Sequence, residues 1–132
     1  MRLTQAEFER LQSKGKPDFG QSIVYDYPMA PPKTRGPNKT EAAYGDYLEL
    51  LRRHGDVDWF RFEAIKLKLA NGTWYKPDYP VIVRGELQLH EVKGFMREAA
   101  RVRLNVAAAQ FPWRFFLVRH QNGHWVTSEV AK

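Results

Sequence analysis

The spacing of apolar side chains changes period along the chain, and each change predicts a new element. Near the start the signals are helical. Thr4 stands at a capping position, Glu7 follows at the capping-box position, and Leu3 and Phe8 have staple spacing. This first helix is predicted to end near Ser13, with Gly15 as its stop and Pro17 beyond. Residues 15–38 then hold five prolines and three glycines and read as an extended arm, with Phe19, Tyr25 and Tyr27 available to pin its first half. A second helix is predicted from Asn38 or Thr40 to about His54, stopped by Gly55. Tyr44, Tyr47, Leu48 and Leu51 make its buried face. Glu41 is in phase with Tyr44, Gly45 and Leu48, so its carboxylate starts the inward face.

From Trp59 the period becomes two. Phe60 and Phe62 alternate with Arg61 and Glu63, after which Ile65, Leu67 and Leu69 carry the opposite phase. A bulge near Glu63-Ala64 accounts for the flip. Asn71-Gly72 predicts a hairpin turn, and Thr73 to Val83 a returning strand that Pro77 and Pro80 make irregular. After a turn at Arg84-Gly85-Glu86, Leu87 to Lys93 is a third strand. Phe95 to Gln110 reads as a helix with an apolar stripe of Phe95, Ala99, Val102, Val106 and Ala109, closed by Pro112. Arg114 to His120 is a nearly continuous apolar strand, which predicts burial on both faces. Asn122-Gly123 turns into a short strand at Trp125-Val126. The expected fold is α/β, an antiparallel three-strand meander followed by a helical crossover and further strands. Residues 1–38 form the N-terminal helix and basic arm, and residues 39–132 the main domain.

Composition narrows the function classes. The chain has 132 residues, enough for one domain, and is 43% hydrophobic, enough for a core. It has no cysteine, which excludes thiol nucleophiles and cysteine zinc sites and suits a reducing cytoplasm. No apolar run is long enough to span a membrane, no apolar signal core opens the chain, and no Gly-rich phosphate loop points to a nucleotide cofactor. The net charge is +6, distributed as +3 over residues 1–40, −1 over 41–93 and +4 over 94–132. Basic flanks around an acid-bearing middle suit a polyanion held over a carboxylate centre.

That centre is visible in Tyr75-Lys76-Pro77-Asp78 and His90-Glu91-Val92-Lys93-Gly94. If an even-length turn is centred on Arg84-Gly85, Val83 opposes Glu86, Ile82 opposes Leu87 and Asp78 opposes Glu91. Opposed residues share a face with Cβ atoms about 5 Å apart. Lys93 lies two residues beyond Glu91 and joins that face. Two carboxylates this close repel unless a hard divalent cation lies between them. Oxygen donors without sulfur favour Mg²⁺ or Mn²⁺. Such an ion polarises a phosphoryl oxygen and lowers the pKa of bound water, and Lys93 would orient or deprotonate the attacking water or offset phosphate charge. Hydrolysis of a phosphodiester is the natural reaction.

Pro77-Asp78 and Glu91-Val92-Lys93 on adjacent strands, followed by a helix, resemble the PD-(D/E)xK nuclease superfamily. The element order from about residue 39 to 120 resembles its restriction-endonuclease-like core. Asn38-Lys39-Thr40-Glu41 together with these segments is also similar to small phage and prophage endonuclease-like proteins, some relatives of which resolve Holliday junctions. The resemblance implies that Asp78, Glu91 and the Val92 backbone carbonyl bind metal. It also implies that Lys93 is catalytic and Glu41 an accessory metal ligand and catalytic carboxylate. It implies a Mg²⁺-dependent DNA endonuclease selective for branched DNA in phage replication, recombination or packaging, located in the host cytoplasm. Two symmetric cuts at a junction imply a homodimer.

Other assignments stay open beside these. Asp78 and Glu91 are alternatively a surface pair bridged by Lys76 and Lys93, and Glu41 is alternatively no more than the capping-box partner of Asn38. Glu63 is a rival third carboxylate, opposing Pro80 in the register of the Asn71-Gly72 hairpin. Arg97, Arg101, Lys33, Arg35 and Lys39 are the expected DNA contacts, with Arg97 and Arg101 alternatively a solvated helix face. His90 alternates with Glu91 and points to the opposite face, and the four tryptophans are expected in the core. The alternative enzyme is a general or nicking DNA nuclease. The alternative of another class is a catalytically silent nucleic-acid-binding or regulatory protein with the same fold.

Overall fold

The computed structural model describes residues 4–6 and 36–132. Thr4 precedes helical Gln5 and Ala6. The rest of the expected N-terminal helix, the arm up to residue 35, and with it Lys33 and Arg35, lie outside the described residues. Gly36–Lys132 form a compact unit. It is mixed α/β, with a five-strand mixed sheet, a separate two-strand sheet and two helices. No helix among the described residues is long and apolar enough to cross a membrane.

Helix α1, Lys39–Arg53, starts where a capping box requires it. The Asn38 side chain accepts the Glu41 N–H at 2.8 Å, and Glu41 Oε1 accepts the Asn38 N–H at 3.0 Å. Gly55 follows the helix with φ +85°, in the left-handed region that glycine enters without strain. Strands β1 (Trp59–Phe60), β4 (Tyr79–Val83), β5 (Glu86–Val92), β6 (Arg114–Gln121) and β7 (His124–Glu129) form the main sheet in the order β1-β4-β5-β6-β7. Strands β2 (Leu67–Ala70) and β3 (Thr73–Tyr75) pair only with each other. Every pairing is antiparallel except β5–β6, whose crossover is helix α2, Glu98–Gln110. Lys132 closes the end of α2: its ammonium donates to the carbonyl of Ala108 in the last turn and to those of Phe111 and Trp113 just beyond, at 2.9, 2.6 and 2.7 Å.

The main sheet has a core on each face. Tyr44 and Leu48 of α1 pack with Val57, Tyr79, Val81, Val92 and Val118. Leu67, Tyr75, Leu89, Met96, Leu104, Ala107, Ala108 and Phe115 make the other core, in which α2 packs on β2 and β3. Strand alternation sends Leu89 and Glu91 toward α2, and His90 and Val92 toward α1. His90 is buried against α1, with its Nδ1 2.6 Å from the Tyr44 hydroxyl and its Nε2 3.0 Å from Gln88 Oε1. Because Gln88 presents an acceptor, Nε2 carries the proton and the Tyr44 hydroxyl donates to Nδ1.

Several sequence expectations need correction. The first two strands of the expected meander are each broken, so that β1 and β4 stay in the main sheet while β2 and β3 peel away. Pro77 and Pro80 cannot donate to a ladder, and Glu63 has φ +48° where the bulge was expected. Helix α2 begins at Glu98 rather than Phe95, and its buried stripe is Leu104, Ala107 and Ala108. Phe95 is 83% and Val102 53% exposed. The helix faces the sheet with small residues, and its alanines are spread around it, so apolar spacing marks no single face. None of the four tryptophans is buried: Trp113 and Trp125 are half-buried, and Trp59 and Trp74 are exposed. The final strand is longer than Trp125-Val126.

At Gly45 a side chain from the sheet comes close against the backbone of α1. A Cβ there would lie 2.5 Å from the Tyr79 hydroxyl, which donates to the Glu41 carbonyl at 2.8 Å. The Tyr79 ring is wedged among Tyr44, Phe60 and Phe62 and has little room to retreat. Gly45→Ala should therefore destabilise by about 1–3 kcal/mol, despite alanine's better helix propensity. Adding Tyr79→Phe removes the clashing oxygen, and the double variant should be more stable than Gly45→Ala alone in urea denaturation.

Candidate active site

The register of β4 and β5 creates the site. Tyr79 pairs with His90, Pro80 with Leu89 and Val83 with Glu86, so one step beyond the ladder Asp78 stands beside Glu91. The turn between the strands has φ +52° at Arg84 and +77° at Gly85, the backbone signature of a two-residue hairpin turn that matches strand twist. Asp78 Oδ2 accepts the Val92 N–H at 2.8 Å. Glu91 Oε2 accepts the Tyr75 hydroxyl at 2.8 Å. Lys93 continues the alternation on the side of Glu91, while its N–H is held by the Val118 carbonyl at 3.1 Å. Asp78, Glu91 and Lys93 line one cleft of about 300 Å³ together with Trp74, Tyr75, Lys76, Ala100 and Arg103.

Burial and like charge dominate its electrostatics. Both acids are 6% exposed. Burial pushes the Asp78 carboxyl up to about 8, and the charges of Glu91 and Glu41 add to the rise. The Val92 N–H and the Lys93 ammonium oppose it. Glu91 is raised too, chiefly by burial, against the Tyr75 hydrogen bond and Lys93. Burial and Glu91 hold the Tyr75 hydroxyl far above its ordinary range, so it stays a proton donor. On the other face, burial lowers His90 to about 4 and keeps it neutral.

The remaining residues singled out in the sequence fall in different places. Glu41 is wholly buried at the N-terminus of α1, and its charge reaches both Asp78 and Glu91. It also forms the capping box, so that expectation and an inward carboxylate are met by one side chain. Glu63 lies beside Asp78 rather than Pro80: its N–H donates to the Asp78 carbonyl at 2.7 Å, while Arg61 takes the place opposite Pro80. The Glu63 carboxylate pairs with Lys76 Nζ at 2.9 Å. Val92 turns its side chain into the α1 core. Arg97, Arg101 and Lys39 are exposed at or near helix starts, and none of them lines the cleft. Among the described residues, no three His, Asp or Glu side chains come together as a ready metal-holding group.

Three cleft residues escaped the sequence reading. Tyr75 precedes a proline break, across which strand alternation cannot be counted. Arg103 shares its side of α2 with Ala100, a phase concealed by the stripe drawn through larger residues. Trp74 is adjacent to an inward tyrosine and so faces outward on β3, a position that alternation alone reveals once Tyr75 is placed.

The raised carboxyls carry a pH signature. Asp78 binds its proton more tightly folded than unfolded, so in chelator the native state should lose stability as pH rises from about 4 toward 8. His90 acts oppositely below its unfolded value, losing stability as pH falls from 6.5 toward 4. From 6.5 to 8 the carboxyls outweigh what remains of the titration of unfolded His90. Over that window the wild type should lose about 1 kcal/mol, or ~4–8 °C in Tm, and Asp78→Asn should flatten the decline. Thermal unfolding in EDTA at stepped pH measures both. No protein-family model, curated protein or solved structure matches this chain, so the chemistry of the cleft rests on its own residues.

Proposed function

We propose that the protein is a Mg²⁺- or Mn²⁺-dependent DNA endonuclease of the PD-(D/E)xK type. The observation that carries this reading is the pairing of Asp78 with Glu91 in one cleft with Lys93. An antiparallel β1-β4-β5 meander, the α2 crossover and a parallel β6 support it, because this order resembles the restriction-endonuclease-like core. The donors fit a hard cation: two buried carboxylates that repel, with a third acid charge from Glu41 and no sulfur. Asp78 and Glu91 would hold the ion, with the Val92 carbonyl and Glu41 as further oxygen donors. Bound there, the ion would supply an activated water and a polarised phosphoryl oxygen.

The chain's own groups do the positioning. The Val92 N–H fixes the Asp78 carboxylate, and the Tyr75 hydroxyl fixes that of Glu91. Lys93 orients the attacking water or offsets charge building on the phosphate. Arg103 and Lys76 flank the acids and hold the DNA backbone, with Arg97, Arg101 and Lys39 as more distant contacts. Branched DNA is the substrate suggested by the resemblance, and a homodimer follows if both strands of a junction are cut.

A catalytically silent DNA-binding protein is the second reading. One observation favours it: oxygens of all three acids are already engaged, by Val92, Tyr75 and Asn38. Cleavage of labelled linear duplex, single strand and four-way junction with Mg²⁺, Mn²⁺ or EDTA separates the two. The nuclease should cut only with metal and lose about 10²–10³-fold in rate in Lys93→Ala. Calorimetry should show Mn²⁺ binding that Asp78→Ala and Glu91→Ala abolish and Lys93→Ala retains. DNA binding that is indifferent to chelator, with no cut in any substrate, would establish the silent binder.

A further inference from the structure

The β2–β3 hairpin carries a group that the carboxylate chemistry does not use. Trp74 is 43% exposed and lines the cleft that holds Asp78 and Glu91. Lys68 pairs directly with Trp74 across the hairpin, so both project from the outer face, while their neighbours Leu67 and Tyr75 are buried on the inner face. The Lys66 ammonium lies 4.8 Å and that of Lys68 5.9 Å from the Trp74 ring centroid. Among the described residues, neither lysine is paired with a carboxylate. An indole with two uncompensated cations, at the mouth of a cleft flanked by Lys76 and Arg103, is complementary to an anion that carries a flat π-face.

We propose that Trp74, Lys66 and Lys68 form a subsite for an unpaired nucleotide, Trp74 stacking on the base and the lysines holding the flanking phosphates. The proposal rests on the cleft being a DNA site and specifies its substrate class as DNA with unpaired bases at the cut. In a duplex the base faces are already stacked on each other, so an exposed indole gains only from a base that has left the helix. Tyr75, the next residue, is bonded to Glu91, so the backbone that presents Trp74 also fixes a carboxylate. The lysines over the ring do not block it. At an exposed site their hold on the indole is weaker than base stacking, and they swing to the phosphates when a base arrives.

The test is binding of a fluorescein-labelled 20-nucleotide single strand and its duplex, in EDTA so that neither is cut. The full chain is compared with Trp74→Leu, Trp74→Phe and the Lys66→Ala/Lys68→Ala double variant, each checked for an unchanged far-UV spectrum. Trp74→Leu should weaken single-strand binding about 5- to 150-fold and duplex binding less than about twofold, and Trp74→Phe should recover most of the loss. The lysine variant should lower the slope of log affinity against log salt by about 1.4 on single strands. Equal losses on both DNAs, an unaltered single-strand affinity in Trp74→Leu, or no binding of either DNA would overturn the subsite. The outcomes also separate it from the nuclease reading. Trp74-dependent single-strand binding without cleavage under any metal keeps the subsite and removes the enzyme. Metal-dependent cutting with Trp74→Leu unaffected in binding does the reverse.

Discussion

The antiparallel register of β4 against β5 is the constraint on which the rest of the structure depends. The left-handed turn at Arg84-Gly85 sets that register. Side chains alternate with a period of two, so a slip of one residue would put Asp78 and Glu91 on opposite faces of the sheet. Their proximity opposes folding, because two acids are removed from water beside each other and near Glu41. Local groups offset part of this cost: a backbone N–H at Asp78, a tyrosine hydroxyl at Glu91 and the ammonium of Lys93. The two hydrophobic cores hold the remainder in place, because neither strand can shift without exposing residues on both faces.

Strand β5 is the hub of this arrangement. It pairs antiparallel with β4 and parallel with β6, and its alternate residues belong to different neighbourhoods. Leu89 and Glu91 look toward α2, whereas His90 and Val92 look toward α1. Burial in opposite layers thus raises the Glu91 carboxyl, beside other acids, and keeps His90 neutral, beside the Tyr44 hydroxyl. The small side chains of α2 matter here: Ala100, Ala107 and Ala108 let the helix approach closely enough for Arg103 to reach the cleft.

Where local rules act strongly, the sequence alone was informative. The Asn38-Glu41 box and Gly55 bound α1 as expected, and the Arg84-Gly85 turn yields the expected pairing of Asp78 with Glu91. Legibility failed where tertiary contacts decide. Proline breaks at Pro77 and Pro80 interrupt alternation, so the split of the first two strands and the placing of Tyr75 and Glu63 cannot be counted along the chain. In α2, a helix rich in alanine carries little contrast between faces, and the larger residues Phe95 and Val102 drew the stripe to the wrong side. Residue type alone places Trp74 in the core, yet on a three-residue strand its inward neighbour leaves it no choice but solvent.

The separation of β2–β3 from the main ladder has a further consequence for how such a protein can diversify. The hairpin shares no strand pairing with the sheet that sets the acid register, and its tip at Asn71-Gly72 is exposed. Insertions, deletions or exchanges at that tip leave the β4–β5 turn and its spacing untouched. One part of the molecule can therefore drift rapidly in length and chemistry while the other is held fixed. The two halves of the cleft are modular, and a graft that keeps the inward Leu67 and Leu69 and ends before Tyr75 would exchange one without rebuilding the other.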